Sequence, residues 1–122
     1  MTDPWPTHGQ WLRCALHAHT TNSDGELPPQ GLAEHYERAG YDVLAITDHW
    51  VRTDAEPVGD LLVIPSVELN CILPEARDGH VLGIGVVCEP GDLASLGAEY
   101  ADLARTADWV TVHGGVAYLA HP

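Results

Sequence analysis

Basic side chains are scarce in this sequence. Five Lys and Arg stand against 18 Asp and Glu, so the net charge is −13 with histidine neutral. A field of that sign disfavours gripping a polyanion through a basic patch, and no long nucleic acid is expected as a partner. No run of about eighteen apolar residues occurs, so no membrane-spanning helix is expected. The opening MTDPWPTHGQW lacks a basic and then apolar leader pattern, which points to a cytoplasmic protein. The three cysteines, Cys14, Cys71 and Cys88, form no CxxC pair, and free thiols in a reducing compartment fit them better than a disulfide framework or a zinc finger. Repeats, low-complexity tracts and linkers are also missing, so 122 residues read as one domain or part of one.

What is present is an alternation of apolar runs and helical patterns. Residues 1–12 read as an irregular arm holding Pro4 and Pro6. Arg13 to His19 reads as a first strand, and Asp24-Gly25 as a turn. Pro28 and Pro29 suit the first turn of a helix whose Leu32, Tyr36 and Ala39 share a face, with Gly40 placed to end it. YDVLAIT, DLLVIPSVEL, HVLGIGVV and VAYLA follow as four more strands, the second of these weakened by Pro65. Leu93, Leu96, Tyr100, Leu103, Ala107 and Val110 recur at helical spacing, which predicts one amphipathic helix capped by Asp92. Strand, helix, strand with apolar strands indicates an α/β protein.

The chemistry-bearing residues collect at the strand ends. His17 and His19 alternate onto one face, about 7 Å apart, where two imidazoles can grip one cation. Asp24 offers a carboxylate from the following turn; Asp48 and His49 end the second strand, Glu68 the third, and His121 the fifth. His80 begins the fourth apolar run, so its strand must return antiparallel to the third if it is to join the others. Mixed imidazole and carboxylate ligands suit zinc, manganese or iron, and Glu68, central in this order, is the natural bridge between two ions. Such a pair of ions can clamp a phosphoryl group and activate water.

LHAHTTNSDG, AITDH, VEL, GHVLGIG and LAHP, in this order, resemble the PHP (polymerase and histidinol phosphatase) domain, close to its small phosphoesterases and the CehA/McbA-type metallohydrolases. The resemblance runs from Leu16 nearly to the last residue. It implies a partial distorted (β/α)7 barrel, TIM-like, with an antiparallel return strand at about residues 80–87. Residues 13–122 would form the N-terminal part of the domain. His17 and His19 would bind a first metal with Glu68; Glu68, His80 and His121 a second; Asp24 and His49 a third. Asp48 would stand behind these ligands, orienting a histidine or a water. The implied activity is hydrolysis of small phosphate esters by metal-bound hydroxide with two or three Zn, Mn or Fe ions.

The alternatives are a carbamate or ester hydrolase of the CehA type and a metal-binding module without catalysis. The family pattern continues past AHP to a GxDxH segment, which the sequence does not reach. A partner chain or a C-terminal segment is therefore expected to complete the barrel, and an isolated 122-residue chain to be compromised in activity. Ser66 departs from the family's frequent glycine. His8, His35 and His113, and the loop arginines Arg52 and Arg77, read as ordinary polar residues outside the centre, and Trp50 as a pocket wall or a packing residue.

Overall fold

A computed structural model describes residues 9–91 and 102–121. Five strands form one sheet in the order β1 (Cys14–Ala15), β2 (Val43–Ile46), β3 (Leu62–Leu73), β4 (Arg77–Ile84) and β5 (Val116–Leu119), each beside its neighbours in the chain. Helix α1 (Pro29–Arg38) connects β1 to β2, and α2 (Leu103–Val112) precedes β5.

Local sequence explains the boundaries. Pro29 starts α1, where a missing N–H costs nothing. At its other end Gly40, at φ +76°, lets its own N–H reach Glu37 O and the Tyr41 N–H reach Tyr36 O. The Tyr36 and Tyr41 rings then meet edge to face at 4.9 Å, sealing the cap. Helix α2 begins at Asp102, whose carboxylate accepts from the Arg105 N–H at 2.8 Å. The expected single helix from Leu93 to Val110 is thus not continuous: Asp102 is extended (ψ 161°) and bridges to Ile72, so the helix starts beyond it. The expected Asp92 cap lies outside the described residues, as do residues 1–8 of the arm.

β1–β2 and β2–β3 are parallel, whereas β3–β4 and β4–β5 are antiparallel. β3 changes partner along its length. Leu62 to Pro65 pair with β2, and Ser66 to Leu73 pair with β4. Pro65, which lacks a donor, sits on the last β2 rung, before pairing with β4 begins.

The sheet curls strongly. Its edge strands are β1 and β5, four spacings apart, which in a flat sheet would separate them by about 19 Å. Yet His17 just past β1 and His121 just past β5 have ring centroids 5.9 Å apart. Two cores lie along this curl. Leu32 and Ala33 of α1 pack with Ala18, Leu44, Ile46 and Leu61; Trp109 and Val110 of α2 pack with Val67, Leu69, Cys71, Leu73, Val81 and Val86.

This half-barrel corrects the expected piece of a (β/α)7 barrel. A parallel barrel needs a crossover helix between every strand pair, and among the described residues only β1–α1–β2 has that form. β2 joins β3 without a helix, and β3 joins β4 through the three-residue turn Pro74–Ala76, which antiparallel pairing permits. The return strand spans Arg77–Ile84 rather than residues 80–87, because β3 runs on to Leu73 and its Asn70 to Leu73 pair with Arg77 to His80.

Candidate metal centre

Glu68 sits where β3 passes from one partner to the other. Its backbone is clamped on the β2 side: its N–H donates to Asp48 O at 3.0 Å, and its carbonyl accepts from Trp50 N at 3.0 Å. Its side chain is 1% exposed, and neither carboxylate oxygen accepts a hydrogen bond within the protein. Five imidazoles surround it. His19 Nε2 lies 2.9 Å from Oε2, with His17 Nε2 and His49 Nδ1 each at 3.7 Å; His80 Nδ1 lies 2.7 Å from Oε1 and His121 Nε2 3.4 Å. Even the shortest of these approaches is not aligned as a hydrogen bond.

Leaving a buried carboxyl unpaired costs about 1–3 kcal/mol or more. A cation seated among the imidazole nitrogens and carboxylate oxygens would remove that cost, and nitrogen and oxygen donors of this kind suit a first-row divalent metal. Two sets of donor atoms are close enough to share one ion: His17, Glu68 and His121, and His19, His49 and Glu68. Glu68 belongs to both, so the residues fit a pair of ions bridged by its carboxylate. The HxH pair is divided between the sets, unlike the grouping implied by the family pattern. Asp24, exposed in its turn, stands 3.1 Å from His19 Nδ1 and 3.7 Å from His49 Nε2. It belongs to neither set, and His80 also falls outside both while touching Glu68. Five of the seven residues expected to ligate thus surround a sixth, Glu68, and of these Asp24 reaches only His19 and His49.

The Asp48 side chain points away from the cluster into hydrogen bonds of its own. It is fully buried and accepts four hydrogen bonds: from Thr20 N (2.7 Å), Thr20 Oγ1 (2.6 Å), Ser23 Oγ (2.6 Å) and Thr53 Oγ1 (2.5 Å). Burial alone would raise its pKa, but the bonds from Ser23, Thr20 and Thr53 outweigh that and hold it below the ordinary carboxylate value. Its role is to fold residues 20–24 over the end of β2, which brings Ser23 and Asp24 to His19. Gly25 closes that loop: a Cβ there would lie 2.2 Å from the His19 carbonyl oxygen, so only glycine fits.

Sequence reasoning missed Thr47, Ser23 and Asn70. Thr47 Oγ1 lies 2.8 Å from His17 Nδ1, and Ser23 Oγ 3.2 Å from His19 Nδ1. Asn70 accepts from the Trp50 indole at 2.9 Å and reaches His80 Nε2 at 3.2 Å, so Trp50 braces the site rather than lining it alone. The signal for Thr47 was present, directly before Asp48 in AITDH, and the signal for Asn70 was its two-residue spacing from Glu68 on one strand face. Burial lowers the His17 pKa; the Glu68 carboxyl opposes this, and the neighbouring imidazoles add to it. A lowered value favours the neutral ring that a metal requires. Arg52 is engaged away from the cluster, donating from Nε to Val86 O at 2.8 Å. His35 is exposed on α1, and His113 Nδ1 lies 2.7 Å from Trp109 O at the end of α2.

Beside the cluster runs a groove of about 850 Å³ with Leu16, Leu82, Ile84, Val116 and Tyr118 in its walls and His17 and His121 at its margin. No helix among the described residues is long and apolar enough to cross a membrane.

No family model matches the chain. Over 79 residues it is 33% identical to the 5′-3′ exoribonuclease Rnm of Escherichia coli (strain K12), an overlap of 58% of this chain and 27% of that protein. The chain thus matches only about a quarter of that relative's length.

Proposed function

We propose that this chain carries the centre of a metal-dependent hydrolase of the PHP type that acts on small phosphate esters. The observation that carries the reading is Glu68: a buried carboxyl within 3.7 Å of five imidazoles and without a hydrogen bond. The similarity to a protein named an exoribonuclease supports hydrolysis of a phosphate ester. Divalent cations in such a centre supply positive charge to a phosphoryl group and make water a better nucleophile near neutral pH.

The chain's own residues would do the rest. Glu68 would hold two ions together, His17 and His121 one of them, and His19 and His49 the other. Asp24, at the exposed rim between His19 and His49, and His80, against Glu68, complete the ring. The apolar groove beside His17 and His121 would take the organic part of the ester and exclude water from that side. Asp48 stays out of the chemistry and keeps the loop over the site.

The acidic charge favours a small substrate. The exoribonuclease similarity favours a second reading, the end of an RNA strand. One set of assays separates these readings. The protein, loaded with manganese, is given p-nitrophenyl phosphate, a short RNA and an aryl carbamate. Turnover of the phosphate ester that disappears in Glu68→Gln is expected. Turnover of RNA alone would transfer the reading to the relative's substrate, and turnover of carbamate alone to the CehA type. A protein with full metal content and no turnover would leave only the metal-binding module.

A further inference from the structure

The atoms behind His17 and His19 determine which ring nitrogen of each carries the proton. For His19 the argument is short. Ser23 Oγ lies 2.6 Å from Asp48 Oδ1, and a carboxylate only accepts, so the single Ser23 hydroxyl hydrogen is committed there. Toward His19 Nδ1 the serine therefore presents a lone pair, at 3.2 Å. The other neighbour of that nitrogen is Asp24 Oδ1 at 3.1 Å, again an acceptor. Nδ1 thus faces two acceptors and Nε2 one, Glu68 Oε2 at 2.9 Å, and the two acceptors favour the hydrogen on Nδ1.

For His17 the partner is Thr47 Oγ1, fully buried at the end of β2. That oxygen accepts from Ala18 N at 3.1 Å, and its one hydrogen has two acceptors in reach, Ala18 O at 3.2 Å and His17 Nδ1 at 2.8 Å. With that hydrogen on Ala18 O, the hydroxyl turns a lone pair toward His17 Nδ1. The opposite assignment would aim an Nε2–H at Glu68 Oε2, 3.7 Å away and beyond hydrogen-bond reach. The Nδ1–H form satisfies every donor in the set.

We propose that Thr47 and the Asp48–Ser23 pair are positioning groups that hold His17 and His19 as Nδ1–H tautomers, so that both turn a bare Nε2 toward Glu68. The metal consequence rests on the reading above, but the tautomers themselves do not. Ligating histidines commonly donate the other ring N–H to such a partner, and loss of that partner weakens metal affinity by about 10–100-fold.

Nitrogen-15 spectra of the metal-free protein at a pH where its imidazoles are neutral read the tautomers directly. Both His17 and His19 are expected as Nδ1–H. In Thr47→Val, which keeps the shape and removes the acceptor, His17 should shift toward Nε2–H while His19 stays unchanged as an internal control. Zinc affinity should fall about 10–100-fold. Thr47→Ser should restore both readouts, separating the hydroxyl's role from any loss of folding in the valine variant. Wild-type His17 or His19 found as Nε2–H, or a folded Thr47→Val with unchanged tautomer and zinc affinity, would overturn the assignment. If wild-type protein shows the expected tautomers but binds no zinc, the positioning holds and the metal reading fails.

Discussion

The two halves of the curled sheet supply the cluster in different ways. In the parallel half, His17, His19, Asp24 and His49 all follow β1 or β2, at the carboxyl ends where parallel strands usually present their sites. In the antiparallel half, direction reverses, so His80 sits inside β4, paired with Asn70, and His121 trails β5. The parallel half holds its ligands through buried hydroxyls and the Asp48 carboxylate. The antiparallel half braces His80 with one amide and leaves the His121 side chain 61% exposed. Glu68 stands at the seam, just past the point where β3 exchanges β2 for β4. The donors of one half are thus tied by several hydrogen bonds, and those of the other by fewer.

The sharpest way to break this comparison is to remove the anchor of the parallel half. Asp48→Ala strands the donors of Thr20, Ser23 and Thr53, and should cost on the order of 3 kcal/mol in denaturant unfolding. Faster amide exchange should appear in residues 20–24, with little change in β4. A loss confined to β4 and β5 would show that the halves had been assigned the wrong roles.

Substitution at the seam should act with the opposite sign. Without metal, Glu68→Gln replaces a buried carboxyl that accepts no hydrogen bond with a neutral amide, and thermal melting should rise by the equivalent of about 1–2 kcal/mol. A metal-free variant less stable than wild type would mean that Glu68 is satisfied in some other way.

A smaller effect sharpens the difference between the halves. His19→Ala should weaken zinc more than His121→Ala, because His19 is held by Ser23 and Asp24 whereas His121 lies exposed at the end of the sheet. Competition with a chelating dye gives the order, and the reverse order would remove the distinction.

The smallest expected effect is on acid stability. The His17 pKa is lowered in the folded protein, so the unfolded chain takes up its proton first. Its contribution is complete above the unfolded value of 6.5 and is lost as pH falls from there toward the folded value. Asp48, also lowered, keeps its contribution above 3.8 and loses it as pH falls further. Metal-free denaturation followed against pH should therefore weaken in two steps, and Thr47→Val should alter only the upper one. Stability that rises on acidification through 6.5 would contradict the sign for His17.

Much of this was legible in the sequence, for reasons that differ by element. α1 announces itself through Pro29 and Gly40 because both limits are set by backbone chemistry within a few residues. The strand cores around Val43–Ile46 and Val116–Leu119 show as apolar runs. Strand lengths did not show, since they depend on partners. β1 keeps only Cys14 and Ala15 in its ladder, and β3 continues to Leu73 because Arg77 to His80 lie opposite. The helix break at Asp102 was hidden because apolar spacing runs through it unchanged, while a bridge to Ile72 holds the backbone extended. The donors around Glu68 were readable as residue types at strand ends. Thr20 and its bond to Asp48 were not, since the two meet across 28 positions and nothing local signals such a pair.

The central claim is that Glu68 joins two cation sites, one in each set of imidazoles. Elemental analysis after zinc loading and dialysis, on wild type and Glu68→Gln side by side, tests it most directly. Two zinc ions per wild-type chain and fewer than one in the variant are the expected result. Equal zinc content in both proteins, or none in the wild type, would contradict it.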